Sequence, residues 1–265
     1  MLDPLWAVLF VLLAWWLSTG AILLLDGLPR PTFRLSLGGV GAFALAGLYG
    51  LAYSSRLDSR AGAYLAFCSA LAVWAWHELA FLLGVITGPR KAPCPPTARG
   101  LARFRFATAA LLYHELALLV TLLAVLALTR GAPNQVGAHC FLVLWAMRIS
   151  AKLNVFLGVR NLATEFIPEH LGYLISYFRK ARMNLLMPVS LLLSSGVLVH
   201  LIRTPAAAGA AAVGRSLVAT LLGLAVLEHV FLILPLPDAL LWRWALRTRQ
   251  RPQAPSETIY RADSG

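Results

Sequence analysis

Charged side chains are scarce in this sequence. Of its 265 residues, 13% are Asp, Glu, Lys or Arg, and 59% are hydrophobic. A soluble domain carries about a quarter charged residues, so an ordinary water-soluble fold is excluded. The sequence has only three cysteines, Cys68, Cys94 and Cys140, and no Cys-x-x-Cys pair. This excludes a disulfide framework and a paired-cysteine metal motif.

Soluble catalytic motifs are also missing. No Ser-His-Asp context is present, and Thr87-Gly88-Pro89-Arg90-Lys91 is a turn at a helix end rather than a phosphate-binding loop. The question of enzymatic activity therefore stays open, and the residues favour a protein that is not an enzyme.

Long apolar stretches fill most of the chain. A stretch of about 18 or more residues with few charges indicates a membrane span. Seven such stretches occur, at residues 4–25, 35–53, 62–87, 106–129, 136–158, 185–202 and 213–235. The sequence thus predicts an all-α polytopic membrane helix bundle of about seven transmembrane helices. Residues 1–250 are predicted to form a single transmembrane domain, and 251–265 a short, disordered cytoplasmic tail.

Basic residues are distributed unevenly among the loops. The net charge is +12, with 23 Lys and Arg against 11 Asp and Glu. Sixteen of the basic residues fall on the side that follows span one, five fall on the other side, and two lie inside span five. By the positive-inside rule, the N-terminus is outside and the C-terminus is cytoplasmic. Membrane lipid is then a sufficient partner for the basic excess, and no nucleic acid is expected.

Two local patterns predict packing and interface contacts. Gly38, Ala42, Ala46 and Gly50 form one row of span two, which predicts a helix-packing face. Between spans five and six, Pro168 begins a segment with an apolar stripe, followed by Arg and Lys. This predicts an interfacial helix whose stripe is Leu171, Leu174, Ile175 and Phe178.

Ionisable residues inside the spans are the most informative feature. Span three carries Trp76-His77-Glu78-Leu79-Ala80, and span four carries the same pattern as Tyr113-His114-Glu115-Leu116-Ala117. Span seven carries Glu228-His229, and span five carries Arg148, Lys152 and Asn154. At a rise of 1.5 Å per residue, the charged groups lie roughly 9 to 15 Å from the cytoplasmic ends of their spans. A charge at bilayer depth costs at least about 2.5 kcal/mol, so these groups are expected to face inward and meet.

Several interpretations of this cluster remain open. It can be a buried ion network, in which carboxylates offset Arg148 and Lys152 while Asn154 lies beyond them. It can be a metal site for iron, manganese or zinc, because His and carboxylate are their usual ligands. The metal-ligand candidates are His77, His114, His229, Glu78, Glu115 and Glu228, with Glu165, Glu169 and His170 as possible ligands at the rim.

The Glu-x-x-His spacing of di-iron bundles is absent, however. The same three histidines, His77, His114 and His229, are also candidates to ligate the magnesium of bacteriochlorophyll. A proton or solute path is a further alternative.

Longer motifs carry a family resemblance over about residues 5–195. They include Trp15-Trp16-Leu17-Ser18-Thr19-Gly20, Met147-Arg148-Ile149-Ser150-Ala151-Lys152-Leu153-Asn154, and Glu165-Phe166-Ile167-Pro168-Glu169-His170-Leu171. In these motifs the sequence resembles the PuhE-type photosynthetic complex assembly proteins of purple phototrophic bacteria.

The resemblance implies a multi-pass protein of the bacterial inner membrane, cytoplasmic or intracytoplasmic. It implies an accessory role in assembling the reaction centre and light-harvesting complex, with their polypeptides as partners and bacteriochlorophyll as a ligand to be handled. The rival hypothesis is an intramembrane metal-dependent oxidase or hydroxylase, using the His/Glu site on a tetrapyrrole, quinone or carotenoid precursor. The family supplies no catalytic residues.

Overall fold

Seven long helices make up most of the chain. The computed structural model describes residues 2–204, 208–234 and 238–248. The long helices are α1 (Leu2–Asp26), α2 (Phe33–Ser54), α3 (Arg60–Leu82), α4 (Gly100–Leu128), α5 (Val136–Leu157), α6 (Leu186–Arg203) and α7 (Ala210–Phe231). Each is long and apolar enough to cross a membrane, and no strand occurs in the described ranges. The predicted fold class is therefore confirmed, while the direction of insertion stays a prediction.

Short helices and loops join these spans. Four are 3-10 helices, at Arg30–Thr32, Thr164–Phe166, Glu169–Tyr177 and Asp238–Trp242, and the last is followed by the short helix α8 (Arg243–Leu246). Successive long helices run in opposite directions. The residues around 26–34, 82–100, 157–186 and 238–248 consequently lie at one end of the bundle, which we call the basic end. The predicted tail, 251–265, lies outside the described residues, and the single-domain division stays a prediction.

Helix α3 is the centre of the bundle. Buried residues make up 72% of its membrane-length window, against 11–44% for the other six spans. Small residues such as Ala63, Ala66 and Ala70 are fully covered, so neighbouring helices approach α3 closely. Helices α1, α2, α4, α5 and α7 all pack against it. A polar residue on α3 is therefore surrounded by protein rather than by lipid.

Glycines hold α2 against α3, but not along the predicted row. Gly38, Ala42 and Ala46 are exposed, and only Gly50 of that row packs inward. A Cβ at Gly50 would lie 2.3 Å from the Ser69 hydroxyl, and one at Gly47 would lie 2.9 Å from the Ser69 carbonyl. The contact face thus runs through Gly47 and Gly50, a spacing of three residues instead of four.

Two predicted span boundaries were wrong at the basic end. Helix α3 ends at Leu82 rather than at residue 87, and α4 begins at Gly100 rather than at 106. Gly84 follows the end of α3 with a φ of +74°, a left-handed conformation that terminates helices. The apolar residues just after Leu82 belong to a turn, which hydropathy cannot distinguish from a helix.

The predicted interfacial segment forms a different helix from the expected one. It is a 3-10 helix, Glu169–Tyr177, with Leu171, Leu174 and Tyr177 buried against Phe81 and Leu82. These three residues recur every third position, which is the period of a 3-10 helix. Ile175, which was predicted to belong to the apolar stripe of the interfacial helix, is exposed instead. The segment therefore packs on the bundle itself; we call residues 164–178 the cap segment.

The close approach of α2 to α3 predicts an asymmetric response to substitution. Gly47→Leu should destabilise the protein by about 1–3 kcal/mol, because the new side chain meets the α3 backbone. Gly39→Leu, on the exposed face of α2 where nothing lies within 4 Å, is the matched control and should be near neutral. Thermal unfolding in mild detergent measures both, and equal melting temperatures for the two variants would contradict this packing.

Candidate polar site within the bundle

Two ion pairs cross the interior of the bundle from α5. Arg148 donates to Glu78 of α3 at 2.6 Å, and Lys152 donates to Glu115 of α4 at 2.5 Å. Arg148 and Lys152 are four residues apart, so one face of α5 presents both cations. The repeated His-Glu pairs lie on two antiparallel helices, α3 and α4, and each pair contributes one carboxylate to one of the two cations.

Glu78 and Arg148 differ in how well they are covered. The Glu78 side chain is 8% exposed, but the Arg148 side chain is 42% exposed. Arg148 lies in the middle of α5, where lipid rather than water surrounds a membrane protein. An Arg at this depth is costly unless a polar group meets it. Part of the Arg148 side chain thus lies on the outer surface of α5, while its Nε is buried without a hydrogen-bond partner among the described residues.

His114 lies beside the Glu78 carboxylate. The residue is wholly buried, its Nε2 is 3.9 Å from Glu78 Oε1, and its ring centroid is 4.6 Å from that of Phe81. Neither ring nitrogen has a hydrogen-bond partner among the described residues. A buried imidazole without partners is costly, so its position is imposed by the surrounding packing.

The non-helical turn at Thr87 and Gly88 packs against α4 beside His114, a contact that the sequence did not predict. The His114 backbone N–H donates to the Thr87 carbonyl at 2.9 Å, and the Arg90 N–H donates to the Ala109 carbonyl at 3.3 Å. A Cβ at Gly88 would lie 2.2 Å from the Ala109 carbonyl oxygen, so only glycine fits there. Irregular backbone at membrane depth is tolerated where protein covers it. The sequence indicated a turn at Thr87-Gly88, but not that this turn packs against the middle of α4.

The other two candidate histidines, His77 and His229, have different partners. His77 Nε2 lies 2.9 Å from the Thr121 hydroxyl on α4. His229 Nδ1 lies 2.9 Å from the Ala225 carbonyl, and because a carbonyl only accepts, Nδ1 carries the proton. His229 Nε2 then accepts from the Ser150 hydroxyl, 2.9 Å away.

Asn154 belongs to this second polar cluster rather than to the ion pairs. Its Nδ2 donates to the Ser190 hydroxyl at 3.1 Å and to the Ser150 carbonyl at 2.9 Å. Ser150 Oγ lies 3.0 Å from Ser190 Oγ. Together with His229, these side chains connect α5, α6 and α7. Neither serine was singled out from the sequence, because serine inside an apolar span is common.

The remaining predicted residues lie at separate places. Glu228 is exposed on α7 and accepts from the Trp15 indole at 2.9 Å. Glu165 and Glu169 are exposed in the cap segment. His170 Nε2 lies 2.8 Å from the Leu82 carbonyl, where it satisfies the end of α3.

The donor groups are not gathered around one point. Within residues 2–204, 208–234 and 238–248, no three His, Cys, Asp or Glu side chains are arranged to hold a metal ion. His77, His114 and His229 are buried at 5%, 0% and 1% exposure, so packed side chains cover the place where a pigment ring would lie. Metal and bacteriochlorophyll binding by these residues stay predictions from the sequence.

Fold and site together define a class: a multi-pass α-helical membrane protein with ion pairs inside its bundle. The chain belongs to the family described as "Protein of unknown function (DUF3623)", which matches residues 1–253. It is similar to a Rhodobacter capsulatus protein described as "Uncharacterized 30.4 kDa protein in puhA 5'region". The two are 39% identical over 264 residues, covering 97% of this chain and 95% of that protein. No solved structure matches the chain.

The ion pairs predict strong coupling between Glu78 and Arg148. Glu78→Gln should cost about 3–5 kcal/mol, because it leaves a cation unpaired inside the bundle. Glu169→Gln, on the exposed cap segment, is the control and should stay within about 0.5 kcal/mol. Arg148→Met combined with Glu78→Leu should cost much less than the sum of the costs of Arg148→Met alone and Glu78→Leu alone. Unfolding in detergent measures this cycle, and additive costs would exclude the pairing.

Proposed function

We propose that this protein is an accessory membrane protein that aids assembly of the photosynthetic reaction centre and light-harvesting complex. The observation that carries the proposal is its similarity, over nearly the whole of both chains, to a protein of the puhA 5' region. The puhA region is a reaction-centre gene region. The motifs that resemble PuhE-type assembly proteins support the same role. A bacterial inner membrane, cytoplasmic or intracytoplasmic, is the location that follows.

The geometry supports action through contacts with partners rather than through a buried catalytic centre. The carboxylates of Glu78 and Glu115 are each held by a cation, which favours a fixed helix register. The exposed part of the Arg148 side chain adds a cationic residue to the membrane-facing surface, where a polar group from outside the chain would lower its cost. A reaction-centre or light-harvesting polypeptide, or a polar substituent of bacteriochlorophyll, meets that requirement.

Pigment handling through His77 or His229 would require more rearrangement. In each, a ring nitrogen is already within 2.9 Å of a hydroxyl on another helix. Of the three candidate histidines, only His114 has both ring nitrogens without hydrogen-bond partners among the described residues, and packing covers it completely. A contact between Arg148 and a partner needs no such opening of the bundle, so we propose that partners bind at Arg148.

The test is a gene deletion in the organism that carries this chain, grown phototrophically. We expect a several-fold loss of assembled reaction-centre and light-harvesting absorbance in purified membranes, while extracted pigments keep their normal chemical identity. The intact gene should restore the absorbance. Arg148→Gln should restore it poorly, and Arg56→Gln, at the opposite end of the bundle, should restore it fully. Protein levels in the membrane are measured in parallel, to exclude loss by misfolding.

Two outcomes would overturn the proposal. Unchanged levels of the assembled complex would remove the assembly role. Accumulation of a chemically distinct pigment, quinone or carotenoid precursor would instead favour the intramembrane oxidase or hydroxylase.

A further inference from the structure

A cavity lined by three arginines opens at the basic end. Its volume is about 420 Å³, within the range of small-molecule sites. It lies where the start of α4 meets the chain that leaves the cap segment. The lining residues are Ala98, Arg99, Gly100, Arg103, Phe178 and Arg179.

Arg103 is held in place by groups that leave its charge uncompensated. Its guanidinium donates to the Phe156 carbonyl at 3.1 Å and to the Tyr177 carbonyl at 2.5 Å. The same group lies 4.1 Å from the centroid of the Phe156 ring. Two neutral carbonyls and a ring orient the cation, but none of them supplies a negative charge.

Arg179 is positioned by its backbone. Its N–H donates to the Val155 carbonyl and its carbonyl accepts from the Val159 N–H, each at 3.1 Å. Its stem crosses Gly158, where a Cβ would lie 3.4 Å from Arg179 Cγ. Gly158 has a φ of +129°, which also favours glycine. The loop after α5 is thus built so that Arg179 lies close over it.

Among the described residues, no acidic side chain offsets these three arginines. In the described ranges, no carboxylate lies within 4 Å of a guanidinium nitrogen of Arg99, Arg103 or Arg179. Three cationic residues that line one cavity repel each other, and an anion bound among them relieves the repulsion. Arginine is well suited to phosphate, since its planar fork donates two hydrogen bonds to two oxygens.

The neighbouring surface favours a lipid over a soluble molecule as the source of the phosphate. Leu101, one residue into α4 from the cavity, is 73% exposed, and Leu185 at the start of α6 is 92% exposed. Apolar side chains this exposed, at the same end of the bundle as a cationic cavity, are typical of the boundary between headgroups and acyl chains. A soluble phosphate would not use them, whereas a phospholipid places its acyl chains against them.

We propose that Arg99, Arg103 and Arg179 form a binding site for the phosphate headgroup of an anionic phospholipid. The lipid anchors the basic end of the bundle, and its acyl chains run along the exposed start of α4. This site is separate from the ion pairs and does not depend on the assembly role.

The test is native mass spectrometry of the full chain released from detergent micelles. The probes are phosphatidylglycerol and phosphatidylcholine with identical acyl chains. The test variant is Arg99→Gln with Arg179→Gln, since both side chains are exposed. Arg103 is left intact because its hydrogen bonds support the fold. The control is Arg56→Gln with Arg130→Gln, two exposed arginines at the opposite end.

We expect one phosphatidylglycerol to be retained in preference to phosphatidylcholine. The test variant should weaken its binding by about tenfold, following the attraction of each arginine to an anionic headgroup. The control should bind as the wild type does. Arg99→Lys with Arg179→Lys keeps the charge and should retain most of the binding.

Three results would overturn the site. These are equal retention of both lipids, equal losses in the test and control variants, and displacement of the lipid by millimolar inorganic phosphate, which would identify a soluble anion as the ligand. Circular dichroism of each variant checks that the helices are intact. A test variant that fails to fold is replaced by Arg179→Gln alone, for which a loss of about threefold or more is expected and unchanged binding contradicts the site.

Discussion

A charge inside a membrane has to find its counter-charge within the protein or on a partner. Arg148 and Lys152 meet this requirement through Glu78 and Glu115, one carboxylate on each of two neighbouring helices. Sliding α5 against α3 would break the Arg148–Glu78 pair, and sliding it against α4 would break the Lys152–Glu115 pair; lipid cannot solvate the ions left unpaired. The hydrophobic effect contributes little to helix association inside lipid, so such pairs set the register that apolar packing leaves free.

The rest of the basic end is arranged around those pairs. The buried turn at Thr87 and Gly88 lies against α4 beside His114, which brings irregular backbone near Glu78. The cap segment covers this turn from outside, with Leu171 and Leu174 packed on Phe81. Tyr177 links the cap segment to the loop that follows this turn, because its hydroxyl donates to the Ala92 carbonyl at 2.8 Å. Protein thus replaces lipid around the polar backbone of the turn.

Arg148 is the member of the two ion pairs that the chain covers least, since part of its side chain is exposed on α5. A protein that only needed a stable bundle would gain by covering that side chain or replacing it with an apolar one. An accessory protein that meets other membrane polypeptides has a use for a polar group on its surface. The proposed assembly role thereby gives a physical reason for a costly feature.

The amino-acid sequence by itself determined the fold class and the number of spans. These follow from apolar length and helical rise, which are local quantities. It did not determine that Glu78 pairs with Arg148 while Glu115 pairs with Lys152, because adjacent His and Glu point about 100° apart on a helix and either can face inward. It also did not separate the end of α3 from the apolar turn that follows, since hydropathy is the same for both. Only the tertiary structure decided these points, because they depend on which helices are neighbours. The same holds for the three arginines of the basic cavity, whose positions at 99, 103 and 179 meet only when the loop after α5 folds back onto the start of α4.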